Sequence, residues 1–246
     1  MITISGLSKG FTGRTLFKDV NLSIFAGEKI GLTGPNGTGK STLFSIILGQ
    51  TESTGGSVQM QKNLNIGHLA QEAHFASDQT VMDEVTAGDE RIKKLLKEKH
   101  ELEDANKADS MRYGDILGEL EQAGIYELEN KAERILTGLG FKEEEFHKPI
   151  NTFSGGWQMR ALLAKLLLYP YDIILLDEPT NYLDLHATLW FKEYLANYKG
   201  TLIVISHDKI FLNDVTNYTI VLENGQITKI KGNYEAYEEQ KNLMLK

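Results

Sequence analysis

Nine residues, GPNGTGKST at positions 34–42, constrain this chain more than any other stretch. They satisfy G-x-x-x-x-G-K-[ST], which fixes two glycines, a lysine and a hydroxyl in spacing. At ordinary residue frequencies a chain of this length carries the pattern by accident roughly once in a hundred times. The flanking sequence therefore has to decide. Upstream, GEKIGLTG reads as a short buried strand; downstream, TLFSIILG reads as the first turns of a helix. Strand, glycine loop and helix in that order give the motif its proper context and point to an α/β architecture.

The chemistry follows from the residue types. Gly34, Gly37 and Gly39 let the backbone curl so that successive N–H groups face one centre. That cage and the helix N-terminus behind it attract phosphate. Pro35, Asn36, Thr38 and Thr42 complete the loop. Lys40 is placed to reach the β- and γ-oxygens of a nucleotide, and Ser41 to offer its hydroxyl to Mg²⁺.

Two further apolar runs end in chemistry-bearing residues. DIILLDEPTN, residues 172–181, is four apolar residues followed by Asp177 and Glu178. A parallel strand covered on both faces needs such a run. Open α/β sheets bind ligands at the C-terminal ends of their strands. Asp177 would hold Mg²⁺, directly or through water, while Glu178 points elsewhere, towards an attacking water. TLIVISHD, residues 201–208, repeats the pattern and ends in His207, which could contact the γ-phosphate and position the water. The other histidines, His68, His74, His100, His147 and His186, read as structural or surface residues.

FSGGWQMRALLAKLLLYP, residues 153–170, places Ser154 as the N-cap of a helix with Met159, Leu162, Leu163, Leu166 and Leu167 at helical spacing. A serine and two glycines, Gly155 and Gly156, make a second anion-binding terminus. Asp83 to Gly138 is charged and helical in pattern. Ile92, Leu95, Leu96 and Leu102 form one sparse apolar stripe. Ile116, Leu117, Leu120, Ile125 and Leu128 form a second, and Ile135, Leu136 and Leu139 follow. This predicts a helical hairpin and helices returning from it. TISGLSKGF and LFKDVNLSIFAGE alternate like strands and predict an antiparallel β region near the N-terminus.

Composition closes off other classes. The 246 residues are 41% apolar, enough for a globular core. No cysteine is present, which excludes disulfides, thiol chemistry and cysteine metal clusters. No apolar run reaches membrane-span length, and the N-terminus has no signal-peptide pattern. A net charge of −8, from 26 basic and 34 acidic residues, argues against autonomous nucleic-acid binding.

Taken together, these motifs resemble the nucleotide-binding domain of ABC ATPases over nearly the whole chain. GPNGTGKST resembles Walker A, FSGGW the signature motif, IILLDE Walker B, NYLDL the D-loop and SHD the switch histidine. The resemblance places Gln71 as the Q-loop glutamine, with catalytic and Mg²⁺-binding roles, and Phe11 as the aromatic that stacks on adenine. It implies a RecA-like parallel core, an antiparallel β region and a helical subdomain inserted at about 80–169. It also implies ATP and Mg²⁺ as ligands, and hydrolysis of ATP. In that family two domains pack head to tail. Ser154, Gly155 and Gly156 would then face ATP on a partner domain, with Asp184 crossing the interface. DEPTNYLD and SGGWQMR are similar to the DEPTNHLD and SGGWRMR of soluble ABC-F proteins; Tyr182 and Gln158 depart from that pattern.

The ABC-F resemblance implies several expectations. The helical hairpin stands where an arm contacts the ribosome. Residues 1–235 form one domain and 236–246 begin a linker to a second, either in a longer chain or supplied by a homodimer partner. The location is cytoplasmic, and the isolated domain hydrolyses ATP slowly because half of each site is missing. The alternative is the ATPase subunit of a membrane transporter.

Overall fold

The computed structural model describes residues 1–11, 13–69, 78–88 and 90–244. They divide into two compact units. The first comprises 1–71, 171–181 and 192–246; the second comprises 72–170 and 182–191.

The first unit is built on two sheets. β1 (Ile2–Phe11), β2 (Arg14–Ile24) and β4 (Gly55–Met60) form an antiparallel sheet in the order β2-β1-β4. The expected antiparallel region is therefore present. One of its members, β4, carries the polar sequence GGSVQM and is largely exposed, so hydrophobic alternation gave no hint of it. The second sheet has the order β5-β6-β7-β3-β8-β9. Its strands are β3 (Lys29–Thr33), β5 (Ile66–Leu69), β6 (Ile173–Asp177), β7 (Thr201–Ile205), β8 (Tyr218–Glu223) and β9 (Gln226–Lys231). All neighbours are parallel except the β8–β9 hairpin. Every residue of β6 and β7 is buried, as expected for apolar runs covered on both faces.

Register positions the site. Asp177 on β6 and Leu32 on β3 both pair with Ile205 on the intervening β7. Three strand ends thus reach the same level on one edge of the sheet. Behind them, α1 (Lys40–Ile47) buries Leu43, Phe44, Ile46 and Ile47 in a core shared with residues from both sheets, among them Ile4, Phe17, Leu175 and Ile203. α8 (Lys209–Val215) follows β7, capped by Asp208, whose carboxylate accepts from the Phe211 N–H. The terminal helix α9 (Tyr234–Met244) is tied to the unit by Lys209–Glu238 at 2.8 Å and Lys241–Glu223 at 3.3 Å.

The second unit is helical. α2 (Val81–Thr86) is buried along its whole length. α3 (Glu90–Asp104) and α4 (Met111–Gln122) form the predicted hairpin, closed by a core of Ala87, Leu95, Leu96, Ile116, Leu120 and Ile125. Arg112 bridges their exposed faces, 2.6 Å from Glu98 and 3.4 Å from Glu119. The second apolar stripe is not continuous. The chain turns at Gly124, where φ is 71°, so Ile125 and Leu128 belong to a separate helix, α5 (Ile125–Gly138). α6 (Gly155–Leu168) buries Met159, Leu163, Leu166 and Leu167 as expected, but leaves Leu162 half-exposed. α7 (Leu185–Asn197) begins in this unit, and its later residues belong to the first.

Candidate nucleotide-binding site

The first unit holds a cleft of about 430 Å³ lined by Phe11, Asn36, Gly37, Gly39, Lys40, Ser41, Thr42, Asp177, Glu178 and His207, with Leu16 and Ile205. Residues from four separate stretches of sequence thus meet in one place. Gly34 and Pro35 line a neighbouring cavity of about 290 Å³ together with His207. Thr38 closes the loop on itself, its hydroxyl donating to the Pro35 carbonyl at 2.9 Å.

The loop geometry requires glycine at two positions above all. At Gly34, φ is 148° and an added Cβ would collide with the Leu222 carbonyl. At Gly39, φ is 104° and a Cβ would press on Leu16 and Phe17. Gly39 is also the residue at which α1 starts, and no side chain caps its first turn. Residues of that first turn, Lys40, Ser41 and Thr42, line the cleft, and an uncapped helix start is an arrangement an anion completes.

Lys40 is 9% exposed. Its ammonium donates to the Gly34 carbonyl at 2.8 Å and to the Pro35 carbonyl at 3.1 Å. Burial pushes its pKa below the usual lysine value, against the pull of Glu178 and Asp177. The lysine therefore rests on loop carbonyls that phosphate oxygens can replace. Arg14, which the motif reading missed, donates to the Gly37 carbonyl at 2.9 Å and braces the loop from β2. Its spacing from the loop, 23 residues, carries no local signal.

Asp177 and Glu178 are 6% and 8% exposed. Asp177 ends β6. Glu178 lies just beyond, with φ at 50° and its N–H donating to the Ile205 carbonyl at 2.9 Å. A left-handed conformation at a non-glycine residue is costly and gathers at functional positions. One Glu178 carboxylate oxygen accepts from the His207 N–H at 3.3 Å. The other is buried, makes no hydrogen bond to the described residues, and lies 3.4 Å from His207 Nε2. Burial raises the Glu178 pKa above the ordinary carboxylate range, and the His207 N–H opposes this. His207 is two residues past the end of β7 rather than on it, and its side chain is exposed.

Phe11, 58% exposed, lines the cleft. Lys9 covers the ring at 4.9 Å from the centroid. Gln71 lies outside the described residues. The donor set suits Mg²⁺, a hard cation that takes a few protein oxygens and keeps other positions for phosphate and water. Ser41 and Asp177 both line the cleft, and no cluster of three His, Cys, Asp or Glu competes among the described residues.

The second unit carries the remaining motif. Ser154 occupies the N-cap of α6 as expected, but its side chain makes no capping hydrogen bond. Ser154 and Gly155 are exposed and Gly156 half-exposed. The hydroxyl and the first N–H groups of α6 are thus presented outward rather than used locally.

A buried parallel sheet with a phosphate loop, an acidic strand end and a histidine at adjacent strand ends defines a P-loop nucleotide-binding domain. The sequence profile of the ABC transporter family matches residues 17–181, and the chain belongs to that family. Its relatives include the Probable ATP-binding protein YheS of Haemophilus influenzae, 38% identical over 246 residues, and its namesake in Escherichia coli K12, 36% identical over 245 residues. Each alignment spans 100% of this chain but only 38% of the relative. YheS is of the ABC-F group that the DEPTNYLD and SGGWQMR segments resemble. The Uncharacterized ABC transporter ATP-binding protein YkpA of Bacillus subtilis is 35% identical over 249 residues, covering 100% of this chain and 46% of that one. Among solved structures, an ATP-binding subunit of an ABC transporter aligns with TM-score 0.72 at 19% identity, over 99% of this chain and 94% of that one. A dimeric ATP-binding cassette in a post-hydrolysis state with ADP and Pi aligns with TM-score 0.64 at 22% identity, over 94% and 98%. The fold is therefore the ABC-type nucleotide-binding fold. Among the described residues no helix is long and apolar enough to cross a membrane.

Proposed function

We propose that this chain binds ATP and hydrolyses it when a second ABC domain closes on it head to tail. The observation that carries this reading is the cleft of the first unit. It gathers the phosphate loop, Asp177, a buried Glu178 oxygen with no hydrogen bond among the described residues, and His207. ATP stacks its base on Phe11 and lays its phosphates over the loop amides. Lys40 exchanges the Gly34 and Pro35 carbonyls for β- and γ-oxygens. Ser41 and Asp177, with Gln71 by resemblance, would hold Mg²⁺, which supplies positive charge between the phosphates.

Hydrolysis follows from what these side chains can do. Water attacks the γ-phosphorus in line with the β–γ bridging oxygen, that bond breaks, and ADP leaves with the electron pair. Glu178 accepts the water proton at its unbonded oxygen; its raised pKa makes it a better base than an exposed carboxylate. His207 holds a γ-oxygen. Ser154, Gly155 and Gly156 of one domain close over the γ-phosphate of the other, consistent with a Ser154 side chain that caps nothing in its own helix.

The wider role belongs to the whole protein, of which this chain spans 38% in the YheS relatives. We place it at the ribosome, in the cytoplasm, with α3 and α4 as the contacting arm and α9 leading into a linker. The support is the ABC-F resemblance of DEPTNYLD and SGGWQMR.

Two measurements test these levels separately. Fluorescent-nucleotide titration and phosphate release from the purified chain should show ATP binding, with turnover per molecule rising with protein concentration. Fast, concentration-independent turnover by a proven monomer would refute the paired site. Co-sedimentation of the full-length Glu178→Gln protein with ribosomes should require ATP. Failure to pellet with ATP bound would favour a transporter subunit instead.

A further inference from the structure

The signature turn, residues 154–156, and the D-loop, residues 182–184, are separated in sequence, yet one side chain in the second unit touches the supports of both. Arg160 lies on the second turn of α6 and is 8% exposed. Its Nε donates to the Tyr182 carbonyl at 2.7 Å. Its Nη1 donates to the Leu139 carbonyl at 2.9 Å and to Asp184 Oδ2 at 2.9 Å. Its guanidinium lies 4.4 Å from the Trp157 ring centroid. Trp157 meets Phe141 edge-on at 4.9 Å, and Phe141 meets Phe153 at 5.7 Å. Phe153 and Trp157 bracket Ser154, Gly155 and Gly156. Phe141 therefore joins the residues on either side of the signature turn, and Arg160 packs on Trp157 at one end.

The D-loop side is equally specific. Asp184 divides its two oxygens. One takes Arg160, and the other accepts the Ala187 N–H at 3.0 Å, capping the start of α7. The backbone carbonyl of Tyr182 is bonded to the same guanidinium, so two positions in three residues are fixed by one group. The Tyr182 ring lies against Gly156, 3.6 Å from where a Cβ would stand. Gly140 has no side chain where the guanidinium passes; a Cβ there would be 2.8 Å from Nη1. Lysine cannot reproduce this, because a point charge lacks the planar fork that meets three acceptors at once.

We propose that Arg160 is a positioning residue that locks the signature turn and the D-loop into one rigid element, so that both reach a partner domain in fixed register. This rests on the paired-site reading above for its use, but not for its existence. Arg160 touches no nucleotide; it acts through Trp157, Tyr182 and Asp184.

Hydrogen exchange on the 246-residue chain tests the lock directly. Arg160→Met should speed exchange at residues 182–188 and at the first turn of α6 by ten-fold or more. β6 and β7 should keep their protection. Arg160→Lys should rescue only part of this. Asp184→Asn keeps one acceptor, for the Ala187 N–H, and turns the other position into an NH2 donor that cannot accept from Arg160; it should loosen 182–188 more than the signature turn, and it serves if Arg160→Met misfolds. Functionally, ATP affinity should stay within two-fold in Arg160→Met while concentration-dependent turnover falls by ten-fold or more. Unchanged exchange at 182–188 in both Arg160→Lys and Asp184→Asn would overturn the lock whatever the chain hydrolyses. Loosened exchange with full concentration-dependent turnover would overturn its use. Absence of such turnover in the wild type would refute the paired-site reading and leave the exchange result to decide the lock.

Discussion

The two units solve the same problem, presenting polar groups at a fixed place, by different means. In the first unit, backbone does the positioning. Parallel strands β3, β6 and β7 are buried and end at one level, so Gly34, Asp177 and His207 follow from where the strands stop. In the second unit, side chains do it. The signature turn and D-loop are held by an arginine fork, an aromatic chain and an aspartate cap. A sheet edge is held by many cooperative bonds and resists single substitutions. A side-chain lock fails when one group is removed.

The sharpest break of this contrast is at Glu178. Replacing it by glutamine should leave ATP affinity within about two-fold while turnover drops by about 10²–10⁴-fold, the usual worth of a positioned general base. Phosphate release and nucleotide titration on the same sample read both. Full turnover in the variant would remove Glu178 from the mechanism. The next effect is in the other unit. Leu120→Ala deletes a residue that is 2% exposed in the helical core, and should cost about 2–5 kcal/mol. If the units behave as different constructions, the helical part should melt earlier while ATP affinity before that transition is unchanged. Parallel loss of ATP binding would show that the nucleotide cleft depends on the helical core.

The same contrast decides what the sequence made legible. β6 and β7 are runs of apolar residues that period and length identify, β3 (KIGLT) is marked by the glycine loop that follows it, and the ends of all three carried the motifs, so most of the cleft could be placed without coordinates. α6 could be read from its leucines. The reading runs out where position depends on groups distant in sequence. Arg14 reaches Gly37, and Arg160 reaches Leu139, Tyr182 and Asp184, each across more than twenty residues. The bracketing of Ser154–Gly156 by Phe153 and Trp157 was the available hint. The turn at Gly124 was hidden because apolar spacing carried on across it. β4 was hidden because an exposed strand has no face to mark.

Phe11 tests how much of the cleft is surface rather than scaffold. The ring is exposed, so its removal opens no cavity. Phe11→Ala should weaken ATP binding by about 1–3 kcal/mol, the range for loss of one base–aromatic stack. It should leave inorganic triphosphate binding unchanged. Competition titration against triphosphate separates the two. Equal loss for both ligands would mean that Phe11 supports the loop instead of the base.

The smallest effect turns on the state of Glu178 in the absence of nucleotide. Its folded pKa is raised by burial, so folding favours its protonated form. For a raised pKa the stabilising contribution is complete below the unfolded value and is lost as pH climbs through the folded one. At neutral pH the ionised carboxylate is therefore a strain on the fold, and among the described residues one buried oxygen has no hydrogen bond to relieve it. Glutamine removes the charge without changing the shape. The variant should melt higher than wild type at pH 7.5. The gap should close as pH falls below the ordinary carboxylate range, where Glu178 is protonated anyway. A thermal-melt series across pH reads this directly. A gap that persists in acid would assign the gain to packing rather than charge. A variant less stable at neutral pH would mean that the contacts of ionised Glu178 with His207 outweigh its burial.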